Sequence, residues 1–165
     1  MLDKGSLLRL FSFKRWADTE TLNVVQKIDA TVSPQQHHQM LRLMNHIYVV
    51  DMIFRANLTG QDHGYTALNT PETPSAETLK AALRDCADWY QGFIRDLPVD
   101  SGEQVISFRF VDGGDGQMRL IDMLNHVLFH GAYHRGAVGW LISGCGETAP
   151  KDVLTVFLRD HQGTE

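Results

Sequence analysis

The stretch Leu120-Ile-Asp-Met-Leu-Asn-His126-Val-Leu-Phe-His130-Gly-Ala-Tyr-His134-Arg-Gly-Ala-Val-Gly-Trp-Leu-Ile142 carries the clearest fold signal in the chain. Its apolar residues recur three and four apart, the period of a helix with one buried face. At about 100° per residue, Leu120, Met123, Val127, Val138 and Leu141 fall within about 60° of one another and define the buried stripe. Three histidines stand at i, i+4 and i+8 on this helix. Measured from Val127, His134 lies about 20° away, inside the stripe; His130 lies about 60° away, at its edge; His126 lies about 100° away, outside it.

Three upstream segments share the helical period. The first spans residues 6–28, with Leu7, Phe11, Lys14, Ala17, Leu22 and Val25 on one stripe. The second opens at Ser33-Pro34, a good N-cap followed by the residue favoured at the first helical position, and ends near Gly60. Residues 61–73 read as a polar loop. Ser75 then caps a third helix that Pro98 ends. Residues 104–111 and 117–120 alternate around Asp-Gly-Gly-Asp-Gly, which predicts a β-hairpin. A short helix follows over residues 151–159. The expected fold is all-α: a nearly antiparallel four-helix bundle with a small β-hairpin insertion before the fourth helix and a short C-terminal helix. Residues 1–165 are expected to form a single domain.

Composition narrows the function classes. Hydrophobic residues make up 43% and charged residues 21% of 165, values of an ordinary globular domain. The net charge is −5 with no run of Lys or Arg, so there is no basic footprint for nucleic acid. No apolar run approaches the roughly 18 residues of a membrane span. The N-terminal residues mix acidic and basic side chains and lack the apolar core of a secretory signal. A cytoplasmic protein is expected, with Cys86 and Cys145 reduced and structural. The unusual feature is eight histidines.

Histidines four apart sit one turn above each other, about 6 Å along the axis, and can close on one metal ion. His126 and His134 are separated by about 12 Å of rise, too far to share it. The inward pair is therefore His130 and His134. A third ligand must come from another helix. His46 extends the face of Leu43, Val50 and Ile53, whereas His37 and His38 lie in the first turns of that helix, His63 in a loop and His161 near the C-terminus. A lone histidine on an apolar face is normally a hydrogen-bonded core residue. Three inward imidazoles would need three separate partners to be buried without a metal.

These residues resemble a known family. His46 within Leu-Met-Asn-His-Ile, and Asn-His-Val-Leu-Phe-His-Gly-Ala-Tyr-His-Arg-Gly over residues 125–136, are similar to the signature of the DinB/YfiT-like metalloenzymes. This is the damage-inducible bundle family, not the DNA polymerase of the same name. Phe11-Ser-Phe-Lys-Arg-Trp-Ala-Asp18 is similar to the family's first helix, and the hairpin is a family trait too. The resemblance implies a four-helix bundle, commonly a homodimer, with metal ligands His46, His130 and His134. The family often has Gln after the Arg-Gly, where this chain has Ala137. Some relatives are transferases or isomerases that depend on a low-molecular-weight thiol.

Other residues receive roles from position. His126, Arg135 and Tyr133 are candidates to touch the ligands from outside and orient them. Arg135 is read first as a structural ion pair and Tyr133 and Trp16 as packing residues; Asp51, five residues past His46, is read first as facing solvent, with orienting a ligand as the alternative. Gly131, Gly136 and Gly139 are expected to admit a neighbouring helix. The glycine turn at 113–116 lacks the Lys-Ser/Thr ending of a phosphate loop. No catalytic residue is identifiable. Three histidines leave positions open on a metal, the pattern of catalytic rather than closed sites. The expected function is a metal-dependent enzyme with one divalent ion, nickel or zinc, acting on a small-molecule substrate as a thiol-dependent transferase or isomerase. The alternatives are a metal-dependent hydrolase and a non-catalytic metal-binding stress-response protein.

Overall fold

Asp3 sets where the first helix begins. Its carboxylate accepts the backbone N–H of Ser6 at 2.9 Å, an N-cap. Helix α1 (Lys4–Val25) therefore starts earlier than its apolar stripe suggests; it also ends earlier, at Val25. The computed structural model describes residues 1–161. The chain continues through α2 (Pro34–Thr59), α3 (Ala76–Asp96), a hairpin of β1 (Val105–Arg109) and β2 (Asp115–Arg119), α4 (Leu120–Gly144) and α5 (Leu154–Asp160). The four long helices form the bundle, and the hairpin lies between α3 and α4 in sequence, as the patterning predicts. No helix among the described residues is long and apolar enough to cross a membrane.

Gly60 ends α2 in the left-handed conformation, at φ 66°, which glycine adopts without strain. Ser75 starts α3 by accepting the N–H of Thr78 at 3.1 Å. In the hairpin, Val105 pairs with Arg119 and Arg109 with Asp115. The turn thus falls earlier than the glycine run suggests, and Gly116 lies within β2. A Cβ there would stand 2.8 Å from the rings of Phe108 and Phe110, so this glycine serves close packing rather than the turn.

Helix directions follow from the contacts. Ser12, Arg15 and Asn23 of α1 bond to Gln91, Asp88 and Lys80 of α3, so the two run antiparallel. His46 meets His130 and Phe54 meets His126, so α2 and α4 are antiparallel too. The other two neighbouring pairs depart from the antiparallel expectation. Asp18 reaches Arg135 and Lys14 reaches Gly131, which makes α1 and α4 parallel. Likewise Tyr90 donates to the Asp51 carbonyl while Met40 and Met44 pack with Leu79 and Leu83, which makes α2 and α3 parallel. The physical reason is the long segment after α2. Asn69 and Thr70 bond back to Asn45 and Arg42, so the chain retraces α2 before α3 begins at the same end.

The apolar core is divided in two. One half holds Phe11, Val49, Ile53, Tyr90, Leu124 and Val127; the other holds Leu22, Met40, Met44, Leu79, Leu83 and Ile142. Between them lies a buried layer of charge. Lys14 Nζ bonds Asp18 at 2.8 Å and Asp51 at 2.6 Å. Arg135 bonds Asp18 at 3.0 Å and Asp152 at 2.6 Å. Asp51 is thus only 2% exposed and does not face solvent as its position suggested. The i, i+4 pairing of Lys14 with Asp18 points both inward on α1. Holding Asp152 against Arg135 also keeps residues 151–153 out of the last helix, which begins at Leu154 and docks through Phe157 on Trp16 and Phe13.

The helical glycines divide. Gly131 faces the charged layer: a Cβ there would come within 3.1 Å of Arg135 Nη1 and 3.2 Å of Lys14 Cε. Gly136 meets nothing and is exposed, so it admits no neighbouring helix of its own chain.

Breaking a buried ion pair leaves its partner charged and unpaired, at a cost of about 3–5 kcal/mol. Arg135→Met leaves Asp152 without its cation and Asp18 with Lys14 alone. It should lower the unfolding free energy by about 3 kcal/mol or more in urea denaturation at pH 7. A loss under about 1 kcal/mol would show that the layer does not hold the helices together.

Candidate metal centre

The charged layer has an outer face between α2 and α4, and three imidazoles gather there. His130 and His134 project from successive turns of α4, and His46 meets them from α2. Their rings stand 4.5–4.7 Å apart between centroids. One nitrogen from each lies within 4.8 Å of the others, close enough to hold a metal ion. His46 Nε2 and His130 Nε2 approach to 3.0 Å.

The state of His46 is fixed from behind. Its Nδ1 lies 2.7 Å from the carbonyl of Leu68. A carbonyl only accepts, so Nδ1 carries the proton and Nε2 presents a lone pair. Leu68 is held in place by the chain that retraces α2: Asn45, buried, bonds Asn69 and Thr70, and Arg42 bonds the Thr70 carbonyl at 2.6 Å. With Nε2 of His46 accepting, Nε2 of His130 is the donor in the 3.0 Å contact, and its Nδ1 is left without a proton.

Burial disfavours charge on the three histidines of α4. His130 is pushed down to about 3, by burial first and then by His134, His46, His126 and the Lys14 ammonium. Burial also lowers His134, with His46 adding to it, and lowers His126. At neutral pH the lowered rings are neutral and keep their lone pairs, the form in which imidazole binds metal. Ligands on a tetrahedral or octahedral ion with bonds of about 2.0–2.1 Å are about 2.8–3.4 Å apart, within reach of small ring rotations here. The group holds no carboxylate or thiolate. These residues fit a divalent ion with positions left open for water or substrate.

His126 stays outside the group. Its ring stacks on Phe54 at 4.5 Å and lies parallel to that of His130 at 5.4 Å. Tyr133 is 78% exposed rather than packed, with its ring edge-on to His134 at 5.1 Å. Arg135 turns away into the charged layer. Trp16 packs with Phe13 and Phe157, under α5. Cys86 and Cys145 are free thiols, and burial pushes Cys86 up to about 12. Sequence reasoning did not find Lys14 or the Leu68 carbonyl as neighbours of the site, and it offered Asp51 only as the second of two readings. Lys14 had a signal, a cation on an otherwise apolar stripe. Leu68 had none, because it acts through its backbone.

A sequence model of the DinB family matches residues 1–163. No curated protein and no solved structure gives a match.

A histidine whose folded value is depressed adds stability above its ordinary value near 6.5 and loses it as pH falls toward the folded value. For His130 that window runs from 6.5 down to about 3. Asp51, raised by burial from 3.8 to about 6, acts in the opposite sense across its own window. The difference between parent and His130→Gln isolates the histidine. In chelator-treated protein, urea denaturation should show the parent losing more stability than the variant between pH 7 and pH 4.5. Equal losses would mean that His130 is not held neutral.

Proposed function

The chain belongs to the DinB family, and from that footing we propose that it is a metal-dependent enzyme whose ligands are His46, His130 and His134. The single observation that carries this reading is the convergence of three imidazole nitrogens on the α2–α4 face with no carboxylate or thiolate among them. Imidazole suits nickel and zinc, and one such ion is the proposed cofactor. When bound, the ion supplies a Lewis acid that polarises a carbonyl or lowers the pKa of a bound thiol or water. The chain's part is to keep His130 and His134 neutral by burial, to aim His46 through the Leu68 carbonyl, and to leave the outer side of the group open. An open site of this kind suits a small-molecule substrate and a low-molecular-weight thiol, in a transferase or isomerase reaction. The two free cysteines suit the reducing cytoplasm.

Zinc and nickel titrations test the ligands. Alanine at His46, His130 or His134 should each abolish tight binding, and His126→Ala should weaken it by about tenfold or less. Unchanged affinity in all three ligand variants would sink the site. Activity is tested with a panel of thiols and electrophiles, with turnover expected to vanish on chelation and return with metal. Hydrolysis without thiol would mark a metal-dependent hydrolase. Tight binding with no turnover would mark a non-catalytic metal-binding protein.

We also propose that the protein is a homodimer. The support is the outer face of α4, where Phe129 is 74%, Tyr133 78% and Trp140 82% exposed, with Gly136 and Ala137 between them. Exposed aromatic area of this extent is unusual on a monomer. Small residues flanked by aromatics suit a two-fold crossing, each copy's rings lying over the other's glycine and alanine. Light scattering should give about twice 18.6 kDa at micromolar concentration, and Trp140→Glu should return it to 18.6 kDa. A parent mass of 18.6 kDa would overturn the dimer.

A further inference from the structure

Among the described residues, two buried side-chain polar atoms have no hydrogen-bond partner: Asp51 Oδ1 and His130 Nδ1. One is a carboxylate oxygen, which accepts. The other is a ring nitrogen, which donates when it carries the proton. Buried polar atoms are normally paired, so two unpaired atoms of complementary kind call for one explanation.

Lys14 links the two. Its ammonium bonds Asp51 Oδ2 at 2.6 Å. The same nitrogen lies 3.4 Å from where a Cβ on Gly131 would stand, and Gly131 directly follows His130. Because residue 131 is glycine, no side chain separates α4 from the charged layer at this level. Asp51 is also fixed: Oδ2 is held by Lys14, and its own backbone carbonyl accepts from Tyr90 at 2.6 Å. His126 lies parallel to the His130 ring and does not bond to it.

We infer that Asp51 is a positioning residue for His130, its Oδ1 accepting the Nδ1–H of that ring, directly or across one water, once Nε2 is engaged by a metal. The inference rests on the metal site proposed above. In the metal-free chain His130 donates through Nε2 to His46, so Nδ1 has no proton to give. Binding through Nε2 moves that proton to Nδ1, with no net uptake or release. Nδ1 then needs an acceptor, and Asp51 Oδ1 is the unclaimed one. His46 is served in the same way by the Leu68 carbonyl. Two of the three rings would thus be aimed by acceptors behind them, as metal-bound histidines commonly are.

The test combines zinc titration with nitrogen NMR of the histidine rings. In the zinc-loaded parent, His130 should carry its proton on Nδ1, in slow exchange with solvent, and chelation should remove that signal. Asp51→Asn should weaken zinc binding by about 10–100-fold, because the one amide oxygen stays with Lys14 and the NH2 is turned toward His130. Asp18→Asn loosens the same lysine without altering that acceptor and should change affinity by less than about threefold. The inference is overturned if the zinc-loaded parent carries the His130 proton on Nε2, or exchanges an Nδ1 proton as fast as an exposed ring. It is overturned equally if Asp51→Asn binds like the parent, or if Asp18→Asn loses as much. The parent spectrum decides even if Asp51→Asn does not fold. A parent that binds neither zinc nor nickel removes the metal site itself, an outcome distinct from a parent that binds and is indifferent to Asp51.

Discussion

Two cations and two carboxylates buried at mid-height of a helical bundle, with a third carboxylate half-buried at their edge, constrain everything around them. Lys14, Arg135, Asp18, Asp51 and Asp152 come from α1, α2, α4 and the segment before α5. Charges so placed are stable only when each finds its partners, because burial removes their water. The side chains therefore fix the axial register of the helices that carry them. Sliding one helix by a turn would strand charge, whereas sliding one apolar stripe over another would not. Asp18 matters most, because it is the one carboxylate shared by both cations.

The imidazole group is the outward continuation of this layer. On the inner side Lys14 neutralises carboxylates; on the outer side its charge helps to keep His130 unprotonated. The layer thus does two things with one lysine. It satisfies Asp18 and Asp51, and it biases His130 toward the neutral form that binds metal. Gly131 lets the two sides meet, since a side chain there would crowd both Lys14 and Arg135.

The remaining control comes from backbone. The segment that retraces α2 spends Asn69 and Thr70 on Asn45 and Arg42, and the result is a carbonyl held against His46. The same path explains why α2 and α3 run parallel. A feature that looks like a spacer in the sequence both sets the helix order and aims a ring.

The sequence by itself determined the four helices, the hairpin and the choice of His46, His130 and His134 as the residues that meet. Periodicity is a local property, and an i, i+4 pair on the inner edge of a stripe declares its direction without help from the rest of the chain. Helix boundaries were legible except where a side chain capped or withheld a turn, as at Asp3 and Asp152. Tertiary structure alone decided the parallel pairs, the burial of Asp51, the exposure of Tyr133 and the role of the Leu68 carbonyl. Asp51 reads as a surface residue because nothing in its own helix shows that Lys14 waits across the core. Leu68 contributes a backbone atom that every residue possesses. Such pairings join residues far apart in sequence, 37 positions for Lys14 with Asp51 and 22 for His46 with Leu68, and their partners are chosen only when the helices pack.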